Sequence, residues 1–256
     1  MKHTLTLAAW NFRLARRSLL ALWGIFAAQQ LALVVFRICW QGAAGMGLAS
    51  HYYVTMQIFA YLGFYLLTGL AAGLATHNSR RARSGYTWAT LPGTPGQKFA
   101  AKSITIAAAE VVFTAWQFVW YIVEFYPVTA LEVHLARKLY GAALPPANLY
   151  EQIVANNLFS RLLPRRPLQL VILLGILALS ALLLAALDTV RGWRKLPVFA
   201  VGGLCAWQCF YLVTVEQHPA WIFASASRNV TMALAAVLAV LTVWWAVRSI
   251  RRGETC

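Results

Sequence analysis

Six apolar runs, at about 19–36, 53–76, 103–126, 168–187, 196–215 and 229–247, dominate the chain and leave it few ways to fold. Each is close to the roughly 20 residues that an α-helix needs to cross the hydrocarbon core of a bilayer. In hydrocarbon every backbone N–H and C=O must be bonded within its own segment, so such runs become helices. The expected class is therefore an all-α integral membrane protein, with residues 1–256 forming one transmembrane domain of six helices. Composition supports the same class. With 61% hydrophobic and 11% charged residues there is too little polar side chain to coat a soluble globule of this size.

The charge balance decides orientation rather than ligand. Lys and Arg number 22 against 7 acids, which in a soluble protein would point to nucleic acid. Here the basic residues sit in short segments beside apolar runs, where they orient helices and meet anionic lipid; no nucleic-acid partner is expected. Arg80, Arg81, Arg83, Lys98 and Lys102 crowd the turn-rich stretch His77 to Lys102, which contains no acid. Placing that loop inside, with both termini, puts 15 of the 22 basic residues on the cytoplasmic side. The expected location is the plasma (inner) membrane, crossed several times. One segment resists the rule: Pro127 to Pro164, followed by Arg165 and Arg166, is expected outside and is nevertheless net basic.

Polar residues within the runs carry the local expectations. Met1 to Ser18, with Leu5, Ala8, Ala9 and Phe12 at helical spacing, reads as an interfacial helix preceding the first span. Gln29 and Gln30 are expected to hydrogen-bond a neighbouring helix. In the second span Gln57, Tyr61, Tyr65 and Thr68 share one face, and Gly69 and Gly73 form a small-xxx-small pair that would admit another helix. The third span holds the most informative pattern. Glu110, Thr114, Gln117, Tyr121 and Glu124 recur at alternating intervals of four and three residues, so all five leave the helix on one stripe. A carboxylate deep in a membrane costs about 2.5–3.5 kcal/mol on insertion scales, so the stripe should face protein or water. Two readings remain open: a packing seam, with Glu110 paired to a basic loop residue and Glu124 interfacial, or the lining of a transport route or gate.

Between Pro127 and Pro164, Leu131, Leu135 and Leu139, and then Ile153, Leu158 and Leu162, suggest two short amphipathic helices on the outer surface. Asp188, Arg191, Arg194 and Lys195 are expected to cap the helix ends of an inner turn. The four cysteines (Cys39, Cys205, Cys209, Cys256) lack metal-ligand spacing, and Cys205 and Cys209 are read as packing residues.

The span pattern, the basic N-terminal helix, the loop and the Arg251 to Glu254 ending together resemble the membrane (permease) subunits of ABC type-2 exporters. In the loop Gly85-Tyr86-Thr87 precedes Leu91-Pro92, and Lys102 lies ten residues after Pro92, at the start of the next span. At Gly93-Thr94-Pro95 the chain departs from the family pattern, where an apolar residue followed by Ser and Arg is usual. The resemblance implies a chain that dimerises, with an identical or a similar permease, and docks on cytoplasmic ABC ATPase subunits. Arg83, Tyr86, Leu91, Pro92, Lys98 and Lys102 would form the coupling loop, and the Glu110 to Glu124 stripe the pathway lining. No cofactor belongs to the chain itself; ATP would be bound by the partner. The stretch Gly93 to Lys98 lacks the spacing and the Ser/Thr of a phosphate loop. Two other classes stand beside this expectation. One is a passive channel or a non-catalytic membrane scaffold or sensor. The other is an intramembrane enzyme using Glu110 or Glu124 with His134, against which stands the lack of any H-E-x-x-H or G-x-S-x-G motif.

Overall fold

The computed structural model describes residues 2–75, 90–141, 147–163, 167–190, 192–215 and 226–251. Among these the chain is helical: α1 Lys2–Trp40, α2 Leu48–Val54, α3 Gln57–Leu74, α4 Pro95–Tyr140, α5 Leu149–Ala155, α6 Asn157–Leu162, α7 Pro167–Thr189, α8 Lys195–Val215 and α9 Ala226–Arg251. Five helices, α1, α3, α4, α7 and α9, are long and apolar enough to cross a membrane. The run expected at 196–215 forms α8, a helix of 21 residues that includes the apolar stretch Lys195–Ala206. Contacts group the chain into two compact units. One holds Met1–Arg17, Gly69–Ala109 and Leu174–Cys256, the other Ser18–Thr68 and Glu110–Leu173.

The first three spans differ at their boundaries from the sequence expectation, each for a local reason. The interfacial helix and the first span are one helix of 39 residues, since nothing between Arg17 and Leu22 breaks a helix. The second span does not start at Tyr53. Its first residues belong to α2, and the chain turns at Thr55 and Met56, where Met56 takes a left-handed φ of 51° before α3 begins. The third span starts earlier and ends later than 103–126. Thr94 N–H donates to Gln97 Oε1 (2.9 Å) and Gln97 N–H to Thr94 Oγ1 (3.3 Å), a reciprocal cap with Pro95 in the first helical position, where its missing N–H costs nothing. The departure from the family pattern at Gly93-Thr94-Pro95 is thus a helix start. At the other end α4 runs through Pro127 to Tyr140. That proline leaves the Val123 carbonyl without its usual intrahelical donor. The first of the two amphipathic pieces expected after Pro127 is therefore the end of α4. The second is divided into α5 and α6, capped by Asn148 and Asn156, whose side chains accept from Tyr150 N–H and Leu158 N–H.

In the first unit α7, α8 and α9 meet through Leu183, Cys205, Ala235 and Ala239. Cys205 is a free, buried thiol facing the Ala235 carbonyl, the packing role expected of it. In the second unit an aromatic cluster fills the space among α1, α3 and α4. Phe26 stacks on Phe64 at 4.6 Å, and Tyr61 stacks on Phe113 at 5.5 Å.

Candidate functional site

The polar stripe of α4 is turned against protein, and every member meets a partner from another segment of the same unit. Tyr65 OH donates to Glu110 Oε2 (3.0 Å), and Tyr61 OH shares a hydrogen bond with Thr114 Oγ1 (2.7 Å). Gln117 Nε2 donates to Gln30 Oε1 (3.1 Å), Tyr121 OH to the Gln152 carbonyl (3.1 Å), and Tyr52 OH to Glu124 Oε2 (2.6 Å). Glu110, Gln117 and Tyr121 are fully buried and Glu124 is 1% exposed. The polar face expected of the second span is the mate of this stripe, since Tyr61 and Tyr65 both come from it, and its Thr68 accepts from Trp23 Nε1 (3.2 Å). Gln30 bonds a neighbouring helix as expected. Glu110 meets a phenol where a basic loop residue was one expectation.

Past Glu124 the row continues with a residue that the sequence reading passed over. Glu132, 3% exposed, accepts from His51 Nε2 (2.7 Å) and from Gly47 N–H (3.1 Å) through one oxygen. Adjacent residues of α2, His51 and Tyr52, thus hold two acids that stand eight residues apart on α4. Burial, with the Glu124 carboxylate beside it, pushes the Tyr52 hydroxyl well above the usual phenol range, so it remains a donor. Gln152 of α5 closes this end: its side chain accepts from Ala49 N–H (2.9 Å) while its carbonyl holds Tyr121. Phe159 of α6 stacks on Phe118 at 4.4 Å and meets Tyr121 edge-on at 4.8 Å. Gly47, at φ 80°, is confined here, because a Cβ would come within 2.9 Å of the Gln152 amide. The spacing of Glu132 signalled its place, two steps of four beyond Glu124, but Pro127 read as a helix end.

The residues expected to form a coupling loop divide. Arg83 and Tyr86 lie outside the described residues. Leu91 is half-buried and packs on Leu7, Ala8 and Ala101 beside Trp10, and His3 Nε2 donates to the Pro92 carbonyl (2.5 Å). The apolar corner expected to project into the cytoplasm is therefore seated on the N-terminal part of α1, and Pro92 alone is exposed. Lys98 is half-buried in the first turn of α4. Lys102 is buried and forms an ion pair with Asp188, and one turn further on Thr105 Oγ1 donates to the Ala8 carbonyl (3.1 Å). Asp188 was expected as a cap at an inner turn; it is instead a buried partner inside the first unit, 4% exposed, with Gly73 close enough that a Cβ would touch it at 3.5 Å.

Chemically, the stripe is a row of groups that accept and donate hydrogen bonds over about 21 Å of helix, from Glu110 to Glu124. Several buried atoms of the stripe and of the residues it meets, including Gln117 Oε1, Glu124 Oε1 and Gln30 Nε2, have no hydrogen-bond partner within the protein. No protein-family model matches the chain, and neither a curated protein nor a solved structure matches it.

Proposed function

We propose that the chain is the transmembrane subunit of an ATP-driven ABC exporter of the type-2 class, with the energy supplied by a separate cytoplasmic ATPase. The observation that carries this reading is mechanical. The Leu91-Pro92 corner is tied to α1 through His3, Leu7 and Ala8, and the chain enters α4 within three residues of Pro92. A force on that corner would act directly on the helix that bears Glu110, Thr114, Gln117, Tyr121 and Glu124. The buried atoms of that stripe without partners are groups a passing polar cargo would engage once the packing around them opens. Dimerisation, the six-span arrangement and cytoplasmic termini belong to the same proposal.

The scaffold or sensor reading draws on a different observation. Every stripe residue is packed and all five are hydrogen-bonded, as in a static bundle. Truncating Leu91 and Tyr86 to Ala decides between them. Loss of transport or of ATPase copurification, with the protein still inserted, supports the exporter. Full ATPase association and transport in the double variant, or transport by the purified chain alone, removes it. Topology is tested by single cysteines at Ala147 and Ser84 in a cysteine-free background, which are expected to label from opposite sides with an impermeant reagent.

A further inference from the structure

We propose that the exposed face of α4 beyond Pro127 is a binding site for an anionic phospholipid, whose phosphate lies on Arg137 and His134 and whose acyl chain runs along Tyr126, Ala130 and Val133. The site is a groove of about 570 Å³ within the second unit, with Ala147 on its far wall. Its size falls in the range of small-ligand sites, which pair an apolar lining with a few convergent polar groups. Tyr126, Ala130, Val133 and Arg137 follow helical spacing and so share a face, and Tyr126 is 64% exposed.

Charge selects the occupant. His134 and Arg137 stand one turn apart at the C-terminal end of the groove, and Lys138 adjoins them. Among the described residues neither His134 nor Arg137 has a carboxylate partner. The acid nearest in sequence, Glu132, is turned inward and held by His51 and the Gly47 amide. A cationic rim over a hydrocarbon wall matches an amphiphile with a net negative head. The stem of Arg137 can lie along the apolar surface while its guanidinium meets the phosphate. Because α4 is among the helices able to cross a membrane, the surrounding leaflet supplies such a ligand. The proposal does not rest on the exporter reading. It does give the basic residues after Pro127 a role other than orientation.

Native mass spectrometry of the delipidated, detergent-solubilised full chain tests it, with phosphatidylglycerol, phosphatidylcholine and inorganic phosphate as probes. Phosphatidylglycerol is expected to be retained about tenfold more tightly than phosphatidylcholine. Arg137→Ala with His134→Ala should abolish that preference, and Ala130→Trp, which fills the groove and leaves the charges, should weaken phosphatidylglycerol retention as well. All three positions are exposed, and each variant is checked for an unchanged melting temperature, so one that fails to fold leaves the other to decide. Equal retention of the two lipids by the parent, unaltered phosphatidylglycerol retention in a folded variant, or its displacement by inorganic phosphate would overturn the proposal.

Discussion

In the unit that contains Asp188 a buried carboxylate faces a lysine, whereas in the unit that contains Glu110, Glu124 and Glu132 three buried carboxylates accept from two phenols and an imidazole. The two arrangements concentrate risk differently. A buried ion pair is costly to form, and removing one member strands the other charge, a loss larger than the net worth of the pair. A row of contacts to phenols, an imidazole, amides and a hydroxyl spreads the same burden over several partners. The Lys102–Asp188 pair therefore fixes one position in its unit, and the stripe offers a surface that can be loosened one bond at a time.

The sharpest way to break this contrast is Lys102→Met. It should destabilise the protein by about 3–5 kcal/mol, read as a lowered denaturation midpoint in detergent, and adding Asp188→Leu should restore most of the loss. A double variant as unstable as the single would show that the pair is not what Lys102 contributes. Tyr52→Phe comes next. It takes one donor from the Glu124 carboxylate and should cost about 1–3 kcal/mol by the same measurement. A loss equal to that of Lys102→Met would erase the distinction between the regions. Tyr61→Phe should cost about 1 kcal/mol or less, because Thr114 Oγ1 also donates to the Glu110 carbonyl at 2.9 Å and stays satisfied. Smallest of all is Val119→Leu, at a position 52% exposed, where a change within about 0.5 kcal/mol is expected. A larger loss there would place that face of α4 against protein. Glu110→Gln sharpens the functional side: it should alter transport more than expression, and unchanged transport would leave Glu110 a packing residue.

What could be read from the sequence was periodic, and what could not was either local chemistry or long-range pairing. The α4 stripe and the face of Tyr61 and Tyr65 were visible because helical spacing places residues on a face whatever lies opposite. Their mutual fit was not visible, since no spacing rule joins Tyr65 to Glu110. The start of α4 was encoded in Thr94-Pro95-Gly96-Gln97, but the weight of Pro and Gly as turn residues hid the cap. Pro127 hid the other end for a related reason: a proline is tolerated inside a helix where neighbouring structure supports it, and a sequence does not display that support. The pairing of Lys102 with Asp188 spans 86 residues, and neither residue carries a local sign of the other. Leu91 was recognised as an apolar residue in a basic loop. The N-terminal part of α1, which covers it, has the basic amphipathic pattern of a membrane-surface helix and shows no sign of that contact.

The length of α4 has a consequence of its own. Forty-six helical residues amount to about 69 Å of axial rise, more than twice the roughly 30 Å of a hydrocarbon core. Hydrocarbon takes up about 20 of them. More than half of α4 must therefore meet water, headgroups or other protein, and the apolar side chains beyond the crossing length need a cover that lipid tails do not give.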